Sequence, residues 1–184
     1  RIALTFEPSE NISITPRVIY QKISTDGFNR QEVFNLYANP FTTTRPAVTF
    51  NEREQHLLLQ EGFEDETMIA DATIKVGLGG VDLTSVSSYT DRDILVSRDA
   101  SALTGSVSVD LGFPTAGVLL PSNLADTTKV KSFTQEVRLS SNGDGPLQWV
   151  LGGFYSNTDR NYAQRLPTPG YDAFTDATLG AGLS

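Results

Sequence analysis

Residues 133–155 read FTQEVRLSSNGDGPLQWVLGGFY, two alternating stretches around an Asn-Gly-Asp-Gly turn. Phe133, Val137 and Leu139 alternate with Thr134, Glu136 and Arg138. Past the turn, Leu147, Trp149, Leu151 and Tyr155 alternate with Gln148, Val150, Gly152 and Phe154. Successive side chains of a strand point to opposite faces, so each stretch predicts a strand with one apolar face. Asn-Gly favours the connection because primed hairpin turns require positive φ.

The same architecture occurs twice more. EPSEN (7–11) separates Ile2, Leu4 and Phe6 from Ile12, Ile14, Val18 and Tyr20. Gly79-Gly80 separates Ala70, Ala72, Ile74, Val76 and Leu78 from Val81, Leu83, Ser85, Ser87 and Tyr89. Turns are expected near 7–10, 79–80 and 142–146. Between the hairpins lie polar segments, about 26–66, 93–128 and 157 onward, rich in Thr, Ser, Asp, Asn, Pro and Gly. They carry no sustained helical stripe, although NRQEVFNLY (29–37) predicts one short helical turn.

Short turns thus alternate with long loops. Compact soluble domains rarely hold structureless loops beyond roughly 12–15 residues. The order predicts an all-β fold, an antiparallel meander of about six long strands with tight turns at one end and long loops at the other. An outer-membrane β-barrel has that arrangement, with short periplasmic and long extracellular connections. A soluble sandwich or jelly roll shows the same alternation, so periodicity alone leaves both open. The polar faces carry Arg17, Gln21, Asp71, Thr73, Lys75, Asp82, Glu136, Arg138 and Gln148. They suit a wet barrel interior or a solvent face equally, and loop length favours the barrel.

Bulk composition narrows the function classes. The 184 residues suffice for one domain, and the net charge of −8 argues against a nucleic-acid partner. There is no cysteine and one histidine, His56, so the usual zinc ligand sets are missing and no metal or cofactor is expected. Apolar runs fall far short of the roughly 20 residues of a membrane helix, which leaves a β-barrel open. No stretch reads as a signal peptide, and both ends read as cut from a longer chain.

No G-x-S-x-G elbow is present, and His56 reads as a loop histidine. GLGG (77–80) runs into a strand rather than a helix, so it is no dinucleotide loop. EGFEDE (61–66) and DRD (91–93) match no calcium loop and read as solvated rim charge. No enzymatic activity is expected.

Three stretches carry a family resemblance. LTSVSSYTDRD (83–93), SFTQEVRLSSNGDGPLQWVLGGFYSN (132–157) and ALTFEPSENISITPRVIYQKISTDGFN (3–29) resemble barrel repeats of TonB-dependent outer-membrane receptors. The resemblance covers all three hairpins and implies an internal part of such a barrel. Nothing in 1–184 resembles the family's plug domain or TonB box, and six strands cannot close its 22-stranded barrel. It further implies uptake of a scarce ligand, such as siderophore-iron, cobalamin or a glycan, across the outer membrane of a Gram-negative bacterium. The partners implied are outer-membrane lipid, the small-molecule or glycan ligand, and the TonB system through a plug. The alternative is a soluble or surface-attached β-sheet ligand-binding module.

Alternation assigns Glu136, Arg138 and Gln148 to the lumen as ligand or plug contacts, and turns Leu139 and Leu151 away from it. Aromatic residues Phe28, Phe34, Tyr37 and Phe41, and later Tyr162 and Tyr171, mark the loops. Phe34, Tyr37 and Tyr162 are the ligand candidates, though such residues also pack loop onto loop. Finally, Tyr20, Tyr89 and Tyr155 stand eight or nine residues past Asn11, Val81 and Leu147, in step with the apolar face. They are expected in one band on the outer face, with Phe133 near it, where a tyrosine ring meets apolar chains and its hydroxyl meets headgroup water.

Overall fold

The computed structural model describes residues 1–29 and 51–183. One sheet holds all the described strands: β1 (Ile2–Ala3), β2 (Phe6–Ser9), β3 (Ile12–Thr25), β4 (Gly62–Gly77), β5 (Val81–Asp99), β6 (Asn123–Ser141) and β7 (Val150–Arg165). Their order is β1-β3-β4-β5-β6-β7, with β2 also on β3. Each long strand therefore lies beside its neighbour in sequence, as a meander requires. The sheet is open, with β1 and β2 at one edge and β7 at the other.

Three helices complete the described fold: α1 (Ser101–Asp110), α2 (Thr115–Val118) and α3 (Tyr171–Leu179). They overturn the expectation of irregular polar loops. The strands are also longer than expected, since β5 runs to Asp99, β6 starts at Asn123 and β7 reaches Arg165. Thr and Ser in these stretches are strand and helix residues rather than loop residues. The helical turn expected at 29–37 lies almost wholly outside the described residues.

The chain divides into two compact units. The first comprises Arg1–Ile23, Asp65–Ile94 and Thr128–Tyr162. Its three turns sit together. Gly77 N–H donates to the Asn11 carbonyl (2.8 Å) and Asn142 N–H to the Gly80 carbonyl (3.1 Å). Gly79 and Gly80 take φ of +69° and +82°, the positive values of a two-residue primed turn, closed by Leu78 N–H on Val81 (2.8 Å). The third turn is longer than expected: Ser141 N–H reaches the Trp149 carbonyl (3.0 Å), and β7 begins at Val150.

Proline explains the broken edge strand. Ile2 faces Val18 and Phe6 faces Ile14, with Leu4 N–H donating to Pro16 O (3.1 Å) between them. Pro16 has no N–H to return the bond, so the ladder lapses at Leu4–Thr5 and separates β1 from β2. Glycine matters at Gly152, where a Cβ would lie 2.9 Å from the Val137 carbonyl and 3.0 Å from Arg138 Cγ.

The second unit comprises Ser24–Glu64, Leu95–Thr127 and Ala163–Ser184. Here the helices close a small core. Phe113 stacks at 5.1 Å on Tyr171 and 6.5 Å from Phe174, and Gly117 lies beneath Phe174. Ala100, Phe113 and Val118 are the buried apolar residues among those described. A buried polar knot ties the loops. Asp99 accepts from the Leu59 and Ser101 amides (3.1 and 2.8 Å), and its own N–H donates to buried Glu61 (3.0 Å). Ser101 Oγ accepts from Ser122 N–H (3.0 Å), and Ser122 Oγ meets Thr168 Oγ1 (2.7 Å).

Candidate functional site

The site is the pair of faces on the sheet of the first unit. Registers follow from the turns, because each step along one antiparallel strand matches a step back on its neighbour. Asn11 opposite Gly77 sets Arg17 against Asp71, and the two are ion-paired (2.8 Å). Leu78 opposite Val81 sets Arg92 diagonal to Asp65, and Arg92 Nε donates to that carboxylate (3.0 Å). Gly80 opposite Asn142 sets Ser87 against Gln135, its hydrogen-bond partner. Trp149 opposite Ser141 sets Ser132 against Thr158, whose hydroxyls meet at 2.8 Å.

Arg17, Asp71, Asp65 and Arg92 share the polar face with Thr67, Lys75, Asp82, Glu136 and Arg138. Cross-strand pairs of opposite charge let strongly polar residues stand side by side on one face. Of the residues assigned to the lumen, Glu136 and Arg138 are on this face and bond each other (2.9 Å). Gln148 lies before β7, in the turn. Its amide nitrogen donates to the Gly143 and Gly145 carbonyls (2.7 and 2.9 Å), so it holds that turn closed. At the turn end is a polar cavity of about 570 Å³, whose lining includes Glu7, Glu10, Lys75, Asp82 and Asn142.

The opposite face has three tiers. Nearest the turns are Ile12, Ile14, Val18, Ile74, Val76, Leu83, Val137, Leu139 and Leu151. Next come Tyr20, Tyr89, Phe133 and Tyr155, with Phe133 and Tyr155 at 6.4 Å. A shallow depression lined by Val18, Ala70, Ala72, Tyr89 and Phe133 joins these strands on one face. Beyond the aromatics, Lys22 pairs with Glu66 (3.9 Å) and Lys129 with Asp93 (3.6 Å), and Tyr20 donates to Glu66 (3.1 Å). This charged tier was not singled out from sequence. Its signal was there, in the charges two residues past Tyr20 and four past Tyr89.

The aromatic tier is oblique to the hydrogen-bonded rows. Tyr20 falls opposite Met68, whose row meets β5 at Asp91, two residues beyond Tyr89. Tyr155 falls opposite Gln135, whose row meets β5 at Ser87, two residues short of Tyr89. A line through the three tyrosines therefore slips one residue per strand. With roughly 3.3 Å per residue and 4.8 Å between strands, that is about 35° from the rows.

The loop aromatics divide. Tyr162 belongs to β7 and projects from its polar-face register. Tyr171 opens α3 and packs on Phe113. Phe28 lies past the end of β3, whereas Phe34, Tyr37 and Phe41 fall outside the described residues. Among the described residues, no cluster of three His, Cys, Asp or Glu side chains could hold a metal, and no helix is long and apolar enough to cross a membrane. The chain matches no protein-family model, no curated protein and no solved structure.

Proposed function

We propose that the chain is part of the transmembrane β-barrel of a TonB-dependent outer-membrane receptor that takes up a scarce ligand into the periplasm. In this reading the tiered face is the outer one and meets lipid. The ion-paired face lines the lumen, the three turns are periplasmic, and the helices belong to extracellular connections. The barrel transports rather than catalyses, and TonB acts on it through a plug. Siderophore-iron, cobalamin and glycans are the ligand classes that the family resemblance brings.

The oblique tyrosine line is the observation that carries the reading. Barrel strands tilt about 35–45° to the membrane normal. A band level with the membrane must then cross such strands obliquely, slipping about one residue per strand. The line at about 35° has that slope, and the charged tier just beyond it suits headgroup water. A soluble module would need another layer over Ile2, Leu4, Phe6 and Leu151, each exposed by 63% or more.

Depth-resolved fluorescence quenching tests it. Trp149, the one tryptophan of the sequence, is replaced by Phe, and Tyr20, Tyr89 or Tyr155 is changed singly to Trp. In vesicles of lipids brominated at graded acyl positions, all three are expected to share one quenching maximum near the headgroups. Absence of quenching, or maxima at three different depths, refutes the lipid-facing assignment.

A further inference from the structure

The third turn contains the single Asn-Gly pair of the sequence, Asn142-Gly143. An asparagine followed by glycine is prone to cyclise, because no Cβ shields the next backbone nitrogen from the side-chain carbonyl. This turn leaves that nitrogen open. Gly143 is exposed, a Cβ there would have no atom within 4 Å, and its N–H makes no hydrogen bond to a described residue. Asn142 and Asp82 both line the polar cavity of about 570 Å³ at the turn end, so water reaches them. Asn11, Asn123, Asn157 and Asn161 instead precede Ile, Leu, Thr and Tyr, and each of those next residues belongs to a strand.

One contact holds the reaction back. Asn142 Nδ2 donates to Asp82 Oδ1 (2.7 Å), while Asn142 N–H donates to the Gly80 carbonyl (3.1 Å). The amide thus points across to the neighbouring turn, and it must leave Asp82 before it can fold back onto Gly143. A hydrogen bond to a carboxylate is among the stronger ones, so it limits the time that the amide is free.

We propose that Asn142 is a self-modification site, converted to aspartate and isoaspartate through a succinimide, with Asp82 as the latch that slows it. The Gly143 nitrogen gives up its proton and bonds to Asn142 Cγ, the Cγ–Nδ2 bond breaks, and ammonia leaves. One water then opens the ring at either carbonyl, restoring the Gly143 N–H and leaving a carboxylate. That carboxylate has no proton to give Asp82, and two like charges now face each other where a hydrogen bond stood. Conversion therefore opens the contact between the second and third turns for good. The site lies within the first unit and is independent of the membrane reading.

The test follows the 184-residue chain in micelles as it ages at mildly alkaline pH, with mass spectrometric fragmentation to place aspartate and isoaspartate. Conversion is expected at Asn142 well ahead of Asn11, Asn123, Asn157 and Asn161. Asp82→Ala should speed it roughly fivefold, the worth of the lost hydrogen bond. Gly143→Ala, which meets no neighbour, should slow it roughly tenfold by crowding the nitrogen. Asn142→Asp supplies the product charge at once. It should lose hydrogen-exchange protection at the residue-142 amide while Ala72 and Tyr89 keep theirs, and adding Asp82→Asn should restore it. Conversion no faster than at the other four asparagines overturns the site. An unchanged rate in Asp82→Ala, with Ala72 and Tyr89 still protected, overturns the latch. Full protection in Asn142→Asp overturns the opening of the turns.

Discussion

The two compact units follow opposite rules. In the first, large apolar side chains are on the outside: Ile2, Leu147 and Leu151 are each 67% exposed or more. Its described buried residues include Asp65, held by Arg92, but no large apolar one. In the second, Phe113 and Val118 are buried. The same chain thus carries a ladder whose cohesion is hydrogen bonds and ion pairs, and a helical unit that joins a small packed apolar core to a buried polar knot. Apolar burial organises a structure only against water, and the first unit buries no large apolar side chain among its described residues.

The largest effect expected from this contrast is on solubility. Without detergent, two open sheet edges and an uncovered apolar face should drive the 184-residue chain into assemblies, and micelles should return it to one dispersed species. Light scattering in both conditions reads this out. A monodisperse monomer in plain buffer would erase the contrast.

Next is Phe113→Ala, which should cost about 3–5 kcal/mol of local stability in the helical core. Hydrogen exchange should show loss of protection at Gly117, Val118 and Leu119 while Gln135 and Val137 keep theirs. Equal loss at both would mean that the two packing regimes are one cooperative block.

Gly152→Val probes the ladder itself. A Cβ 2.9 Å from the Val137 carbonyl forces β6 and β7 apart at an expected cost of about 1–3 kcal/mol. Gly153→Val, with no atom within 4 Å of its Cβ, is the near-neutral control. Parallel denaturant melts of the two in micelles compare them, and equal midpoints would contradict the close approach.

Smallest is Lys129→Met. Both Lys129 and Asp93 are more than half exposed, so the pair should be worth under about 1 kcal/mol and less in high salt. A larger, salt-insensitive loss would place that tier out of water's reach.

Much of the sheet was legible because alternation and turn chemistry are local. Gly79-Gly80 can only be a tight reversal with apolar alternation on both sides, and Ser85, Ser87 and Tyr89 took the face their parity assigned. The helices were missed although their stripes are present. Leu103, Val107 and Leu111 repeat at four, and Tyr171, Phe174 and Ala177 at three. Ser, Thr and Gly between them gave a loop-like composition that outweighed the period. The end of the third turn was missed for another reason. Gln148 alternates correctly in sequence, yet its side chain bonds Gly143 and Gly145, and Trp149 N–H donates to Ser141 Oγ rather than to a backbone carbonyl, so β7 begins only at Val150.

The sequence by itself determined the meander, its three turns and which residues share a face, since period two and positive-φ glycines act within a few residues. Register, and everything that depends on it, was decided by the tertiary structure. Arg17 meeting Asp71, the slope of the tyrosine line, Gly152 beneath Arg138, Asn142 held by Asp82 and Phe113 stacked on Tyr171 all join residues distant in sequence. Only the paired strands and packed helices bring those residues together.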